Sequence, residues 1–409
     1  MKTQNLINKE NMTKSSNKTK SLPPRGEVGG GLRLMSIDAL RGFDMLFIMG
    51  GAALLAALAE WFPCGFTQAI AEQMDHVEWH GLRHHDTIFP LFLFIAGISF
   101  PFSLAKQRAN GKTSWQIHRK VIVRGLMLVF LGVVYNGLLD FNFENLRYAS
   151  VLGRIGLAWM FAALIFIHTG WKARAVITAV LLVGYWLVAG FIPAPDGGGE
   201  DIFSAQGSII GYVDRILLPG RIYYGNIDPE GILGVIPAIG TALLGMFTGE
   251  WVKGQRTKDL PRLQSRLGAR ASENGLRLVI GMVLAGIVML VVGLLWNEVF
   301  PINKKMWTSS FVLVVGAYSV LMFALFYYII DVLQWRRWTL FFTVIGMNSI
   351  TIYLAQRFIR FSYTSEKLFG GLVKLMPETS QAFFTQVAYI AVCWLFLYFL
   401  YKKRIFLKV

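Results

Sequence analysis

Residues 75–105 read DHVEWHGLRHHDTIFPLFLFIAGISFPFSLA, a polar block that runs directly into an apolar segment. Within ten residues of this block lie four of the chain's six histidines: His76, His80, His84 and His85. The apolar segment Thr87–Ala105 has about the 20 residues that a transmembrane helix needs. Imidazole is the side chain that titrates nearest to neutral pH. The stretch therefore predicts a membrane helix that carries a cluster of proton-transfer groups at one end.

The composition of the whole chain supports a membrane protein. Hydrophobic residues make up 55% of the 409 residues and charged residues only 16%, whereas a soluble domain of this size needs a larger polar surface. The net charge of +16 does not indicate nucleic acid, because the lysines and arginines lie mainly in loops between apolar segments. Cys64 and Cys393 are far apart and form no disulfide framework or Cys–His metal pattern.

Ten apolar segments have about the length that crosses the hydrocarbon core. The fourth and sixth are short or rich in glycine and are the weakest of the ten. The fold prediction is an all-α, polytopic transmembrane helix bundle of about ten spans. These are Ile37–Leu58, Thr87–Ala105, Lys120–Leu139, Val151–His168, Arg174–Phe191, Gly231–Gly249, Leu276–Trp296, Thr308–Ile330, Leu340–Ile359 and Phe384–Tyr401.

The charges of the loops predict the orientation of the bundle. Loops after the even-numbered spans are rich in Lys and Arg, as are both ends of the chain, whereas the odd-numbered loops carry acids. Because positively charged loops stay in the cytoplasm, we predict an N-in, C-in protein of the inner (cytoplasmic) membrane, with the histidine block outside. Residues 1–35 are predicted to be a disordered cytoplasmic arm, and residues 36–409 the transmembrane domain.

Five motifs in order resemble the heparan-alpha-glucosaminide N-acetyltransferase family, and the chain is identified as a bacterial member of it, a membrane acyltransferase. The motifs of the resemblance run from about Ile37 to Asn348. Its motifs are Ser36–Gly42, Asp75–Gly81 with Asp86–Gly97, Asp228–Gly234, Pro301–Ser310 and Gly346–Ser349.

The resemblance implies an enzyme that transfers acetyl from cytoplasmic acetyl-CoA to a glucosamine amine across the membrane. It implies that His76 is the catalytic histidine, that no metal is needed and that a homodimer is plausible. The sequence Ile48–Ala52 stands where the eukaryotic enzyme has Asn-Tyr-Gly. The predicted acceptor is therefore given only as an amino sugar or glycan, and the reaction as N- or O-acetyl transfer.

His76, Asp86 and Glu78 are the predicted catalytic residues. Acetyl transfer needs a base and groups that stabilise an oxyanion, and His76 suits the base or a transient acetyl carrier. Asp86 and Glu78 are candidates to orient this histidine, although Asp86 also suits the N-cap of the second span. The alternative for His76 is an exposed loop histidine without a role. His84 and His85 would point apart on a helix, so no metal site is predicted.

Four polar residues within the spans are predicted to hold acetyl-CoA. Charges inside a span are costly and usually paired or functional, and a guanidinium group suits the phosphates of CoA. The four are Arg41, Arg124, Arg154 and Asn348. For Arg41 the alternative is an ion pair with Asp38. For Asn348 the alternative is a structural amide that bonds across helices.

Asp228, Glu230 and Trp79 are predicted to bind the acceptor. Carboxylates suit the hydroxyl and ammonium groups of an amino sugar, and Trp79 belongs to the same motif as His76. The alternative for the two acids is that they cap the sixth span, because Pro229 between them favours a helix start.

A proton-coupled secondary transporter of a small solute is the main alternative function. Interior charges and a titratable histidine suit proton coupling. No repeat relates the two halves of the chain, however, as many transporter folds require. Turnover of a thioester by the detergent-solubilised protein distinguishes the enzyme from the transporter.

Overall fold

The computed structural model describes residues 34–264 and 268–407. The described residues fold into helices and loops, with two isolated bridges, Arg147–Gly220 and Pro193–Ser208. The helices are α1 (Met35–Trp61), α2 (Gly65–Glu72), α3 (His84–Ala109), α4 (Ser114–Tyr135), α5 (Val151–His168), α6 (Trp171–Phe191), α7 (Ile209–Leu217), α8 (Val235–Gln264), α9 (Gly268–Asn297), α10 (Ser309–Val332), α11 (Thr339–Met347), α12 (Ser349–Phe358), α13 (Phe361–Val373) and α14 (Glu378–Lys403).

The predicted fold class, a polytopic helical bundle, is confirmed. Eight described helices are long and apolar enough to cross a membrane, or nine if the bent pair α11 and α12 forms one span. The remaining predicted span, the third (Lys120–Leu139), falls on α4, a helix whose first half carries Arg119, Lys120 and Arg124. The orientation of the bundle stays a prediction. The predicted disordered arm lies outside the described residues except at its last two positions.

Helix α3 lies at the centre of the bundle and positions the site. It packs closely on α8 because glycines remove side chains from the contact. A Cβ atom added at Gly245 would lie 2.1 Å from the carbonyl oxygen of Phe94, and one added at Gly249 would lie 2.3 Å from that of Ile98. Small residues of this kind allow membrane helices to approach backbone to backbone. The start of α3 is thereby fixed relative to α8 and to the loop before it.

Three loops at the same end of the bundle as the start of α3 pack against one another. They are residues 73–83, residues 192–234 with the short helix α7, and residues 298–308. Trp79 Nε1 donates to the carbonyl oxygen of Phe203 at 2.7 Å, and Tyr185 donates its hydroxyl to that of Met306 at 2.5 Å. Phe300 and Ile210 are buried in the apolar cluster between these loops. This layer encloses the polar residues around His76 and Asp86.

Candidate active site

His76 and Asp86 form the centre of the site. Nδ1 of His76 lies 2.6 Å from Oδ1 of Asp86, whose side chain is only 1% exposed, whereas that of His76 is 51% exposed. Oδ2 of Asp86 accepts from the backbone N–H groups of Arg83 and Val77 at 3.2 and 3.4 Å. Asp86 therefore both caps α3 and orients the imidazole. With its proton on Nδ1, His76 keeps Nε2 as a proton acceptor.

Lys304 is a third member of this centre, and no role was predicted for it from the sequence. Its Nζ lies 3.3 Å from Oδ1 of Asp86 and 3.1 Å from Nδ1 of His76. Burial lowers the pKa of Lys304, although the nearby carboxylate of Asp86 opposes that change. The ammonium group compensates the buried charge of Asp86, and it places a cation beside the ring that is expected to act as the base.

A tight turn holds Lys304 in this position. The side chain of Asn303 accepts from the backbone of Met306 at 3.0 Å, and the backbone N–H of Asn303 donates to the hydroxyl of Thr308 at 3.0 Å. Thr308 also caps α10. The motif Pro301–Ser310 thus forms a hydrogen-bonded turn that places Lys304 and Lys305 at the site. The signal in the sequence that could have pointed to Lys304 was the motif Pro301–Ser310 itself.

Lys305 connects the turn to the loop that carries His76. Its Nζ donates to the backbone carbonyl of Glu78 and lies 4.4 Å from the ring centroid of Tyr224 and 5.5 Å from that of Trp79. Burial lowers the pKa of Lys305. Glu78, predicted as catalytic, meets Lys305 through its backbone, and its side chain is exposed. Trp79 forms a fixed wall of the pocket.

Arg147 binds both carboxylates that were predicted to receive the acceptor. Its Nε and Nη2 donate to Asp228 at 2.8 and 2.6 Å, and Nη2 also donates to Glu230. Asp228 accepts in addition from the backbone N–H groups of Tyr223 and Glu230. Burial acts to lower the pKa of Arg147, but the two carboxylates outweigh burial and raise that pKa. The buried Asp228 is therefore occupied by structural contacts, whereas Glu230 also reaches the pocket.

A pocket of about 200 Å³ joins these groups. It brings together four predicted site residues, His76, Asp86, Trp79 and Glu230, that are up to 154 positions apart in the sequence. Its wall is completed by both lysines of the turn and by aromatic and arginine side chains. The full lining is His76, Val77, Trp79, Asp86, Arg147, Val151, Tyr223, Tyr224, Pro229, Glu230, Lys304 and Lys305.

The four residues predicted to hold acetyl-CoA lie in three different places. Arg41 donates to Ser99 of α3 at 3.2 Å and lies 3.8 Å from Asp38, and its charge interacts with that of Arg124, whose guanidinium stacks on Trp159 at 4.5 Å. These contacts connect α1, α3, α4 and α5.

The other two of the four lie elsewhere. Arg154 donates to the carbonyl oxygen of Gly231 at 3.0 Å, next to the pocket, and lies 5.1 Å from the ring centroid of Trp307. Asn348 lies at the 67° bend between α11 and α12 and accepts from Thr351 at 3.4 Å. The structure thus brings Arg41 and Arg124 together and separates Arg154 and Asn348 from them.

The remaining histidines of the block have separate surroundings, and among them His85 packs on His76. The rings of His85 and His76 lie 4.6 Å apart, and Nε2 of His84 lies 3.1 Å from the hydroxyl of Tyr318. Burial lowers the pKa of His80, although the carboxylate of Asp201 acts in the opposite direction. Among the described residues, no group of three or more His, Cys, Asp or Glu side chains has the arrangement of a metal site.

Fold and site together define a class: a multi-pass helical membrane protein with a carboxylate-oriented histidine in a polar pocket. The model of the family described as heparan-alpha-glucosaminide N-acetyltransferase, catalytic, matches residues 33–273, more than half of the chain. The chain belongs to this family, as its motifs indicated.

Two relatives carry the name heparan-alpha-glucosaminide N-acetyltransferase. The Mus musculus protein is 26% identical over 92% of this chain, and the Homo sapiens protein is 26% identical over 95% of it. The chain spans 60% of the length of each relative. The matched region includes His76, Asp86 and the two acids on Arg147, whereas the Lys304 turn lies beyond the part that the family model covers.

Proposed function

We propose that the protein is an integral membrane acetyltransferase. It moves an acetyl group from cytoplasmic acetyl-CoA to an amino sugar or glycan on the outer face of the inner membrane. The observation that carries the proposal is the 2.6 Å contact between His76 and the buried Asp86 in a polar pocket. The family and the names of both relatives support acetyl transfer to a glucosaminide.

The geometry suits general base catalysis by His76. Nε2 takes the proton of the acceptor as its nitrogen or oxygen attacks the thioester carbon, so the new bond to the acetyl group forms and the C–S bond breaks. The proton then passes to the CoA thiolate. Asp86 stabilises the imidazolium that forms in between. Glu230 lines the same pocket and suits an acceptor hydroxyl or ammonium group.

The same geometry also serves a two-step route through an acetyl-imidazole, since Nε2 of an Asp-bound histidine is a nucleophile as well as a base. The two routes differ when the acceptor is withheld. An acetylated enzyme gives one equivalent of free thiol in a single turnover without acceptor, and direct transfer gives none. Mass spectrometry of the quenched protein locates the acetyl group if it forms.

For the donor we propose that Arg41 and Arg124 bind the phosphates of CoA, because their charges lie close together in the bundle. Asn348 is proposed to contact the pantetheine arm. Its Nδ2 is buried and has no hydrogen-bond partner among residues 34–264 and 268–407. Arg154 lies beside Gly231 instead, and we assign it to the binding of the acceptor. Assembly as a homodimer stays a prediction.

The test is acceptor-dependent thiol release from acetyl-CoA by the purified protein with glucosamine, for the wild type and His76→Ala. Thiol release that requires the acceptor and disappears in His76→Ala supports the enzyme and its base. A folded wild-type protein that neither binds acetyl-CoA nor releases thiol with any amino sugar or glycan contradicts the proposal and favours the transporter that the sequence left as the alternative. His118→Ala serves as the control for a histidine remote from the pocket.

A further inference from the structure

A second cavity adjoins the pocket and has a different chemistry. Its volume is about 470 Å³, and it lies between α4, α5 and α8. Its polar end contains Arg154 and Glu230, and Glu230 also lines the pocket of His76. The rest of its wall is apolar and includes Val129, Leu157, Phe161, Leu218, Ile236 and Ile239. We call this cavity the lateral groove.

The lateral groove opens toward the lipid-facing surface of the bundle. Phe161 lies in the middle of the candidate span α5 and is 44% exposed. From Gly153 to Phe161 the groove follows α5 for about 12 Å, at 1.5 Å per residue. A cavity that is apolar along two turns of a membrane helix and open at that depth is filled by hydrocarbon, because water is excluded there.

Arg154 lies in the wall of the lateral groove, which also contains Glu230, the residue that the groove shares with the pocket. The residue is 2% exposed, and only its Nη2 is bonded, to the carbonyl oxygen of Gly231. Its Nε and Nη1 are buried without a hydrogen-bond partner among the described residues. Unbonded donors of a buried guanidinium are costly. They are explained if a bound molecule supplies oxygen atoms at this point.

The pocket of His76 is small for a complete binding site. Its volume of about 200 Å³ lies below the roughly 300–1,000 Å³ of usual ligand sites. The lateral groove lies next to it, because Glu230 lines both spaces. A ligand that fills both spaces has a polar head of about one sugar ring, oxygen atoms at Arg154 and an apolar chain.

We propose that the acceptor is a glycolipid, an amino sugar joined through a glycosidic or phosphodiester linkage to an apolar chain. The sugar lies in the pocket beside His76 and Glu230. The linkage oxygens accept from Nε and Nη1 of Arg154, and the chain lies in the lateral groove. The acetylation of this sugar rests on the proposed function, whereas its binding does not.

The test uses the full chain in lipid nanodiscs with two probes, dodecyl glucosaminide and glucosaminyl dodecyl phosphate, each with a diazirine at the end of the chain. Leu157→Trp fills the lateral groove, and Ile236→Phe is a milder second variant. Val180→Trp is the matched control, because Val180 is 63% exposed on α6, away from the groove. Both probes partition into the bilayer equally for all variants, so partition alone cannot separate Leu157→Trp from Val180→Trp.

We expect photolabelling of α5 and α8 in the wild type and in Val180→Trp. In Leu157→Trp the labelling falls, and the KM for dodecyl glucosaminide rises, by about tenfold because the site is overfilled. The probe that labels at the lower concentration identifies the linkage. Labelling that is equal in Leu157→Trp, Ile236→Phe and Val180→Trp, or that a tenfold excess of phosphatidylglycerol abolishes, overturns the inference.

The two proposals fail separately. Photolabelling needs no acetyl-CoA, so groove labelling without any acetyl transfer contradicts the proposed function and retains the glycolipid site. Acetyl transfer to methyl glucosaminide with the same KM as to dodecyl glucosaminide, in the absence of groove labelling, retains the enzyme and removes the glycolipid.

Discussion

Two pairs of histidines lie at opposite ends of the bundle in different surroundings. The rings of His76 and His85 are 4.6 Å apart at the start of α3, and those of His118 and His168 are 4.9 Å apart, near its other end. Helix α3, with 26 residues at 1.5 Å each, is about 39 Å long, and the two pairs lie near its opposite ends. His118 and His168 bond to each other through Nε2 at 2.8 Å, and Nδ1 of His118 donates to the backbone of Ser114.

The difference lies in the partners of each imidazole. His76 bonds to a buried carboxylate, lies beside a buried ammonium group and faces a pocket. In the other pair, both side chains are at the surface, and Nε2 of His118 is already occupied by His168. A base needs an oriented ring with a free nitrogen and room for substrate. Paired histidines alone therefore do not indicate catalysis, and the following substitutions test whether the partners do.

The largest effect is expected from His76→Ala. Removal of a general base costs about 10²–10⁴-fold in rate, and loss of a covalent carrier would cost at least as much. We expect kcat for acetyl transfer to fall by about a thousandfold. Thiol release is measured beside acetyl-CoA binding, which the variant should keep. A His76→Ala protein that retains more than half of the wild-type kcat removes His76 from the chemistry.

Asp86→Asn tests the orienting partner. The amide cannot stabilise the imidazolium as a carboxylate does, so we expect kcat to fall by about a hundredfold or more. Because the amide also removes the counter-charge of the buried Lys304 ammonium group, the free energy of unfolding should fall by about 1–3 kcal/mol. Thermal unfolding in detergent separates the two effects. A kcat within threefold of wild type, together with a lowered Tm, would leave Asp86 with a structural role alone.

The titration of Lys304 should appear in the pH dependence of kcat/KM. Burial lowers its folded pKa, so its charge is present below that pKa and is lost as the pH rises through it, earlier than for an exposed lysine. We expect the alkaline limb of kcat/KM to begin below the usual lysine range. Lys304→Arg should move this limb to higher pH, because guanidinium stays charged. Lys304→Gln should lower kcat/KM by about tenfold near neutral pH.

Identical alkaline limbs for wild type and Lys304→Arg would show that Lys304 does not control activity. An acceptor amine that titrates in the same range is separated by repeating the profile with an alcohol acceptor. The limb that belongs to Lys304 remains in both profiles.

The smallest effect is expected from His118→Ala. The side chain contacts His168 and Ser114 and is remote from the pocket, so kcat and KM should stay within about twofold of wild type, as for most surface substitutions. Kinetics with glucosamine and acetyl-CoA check this prediction. A loss comparable with that of His76→Ala would end the distinction between the two histidine pairs.

The sequence predicts the local half of the site well. His76 and Asp86 lie ten residues apart across the start of one helix, so a helix boundary and a motif suffice to pair them. The apolar segments likewise predict the helices, because a span must satisfy its backbone within itself. The charges in the first half of α4 are what separate that helix from the other spans.

The distant half of the site depends on tertiary packing. Lys304 is 228 positions from His76 and reaches it only because α3, α8 and α10 pack together. Asp228 was predicted to bind the acceptor, and no pattern in the sequence shows that Arg147 already occupies it. Arg41, Arg124 and Arg154 all read as charges inside spans, and only the fold places Arg154 beside the pocket.

The most direct test of the central claim is a double-mutant cycle of acetyl transfer with His76→Ala, Asp86→Asn and the double variant. If Asp86 acts through His76, the two form one catalytic unit and their effects are not additive. We predict that the double variant is no slower than His76→Ala alone. Losses that multiply, with all three proteins folded and able to bind acetyl-CoA, would contradict the claim that an Asp86-oriented His76 is the base.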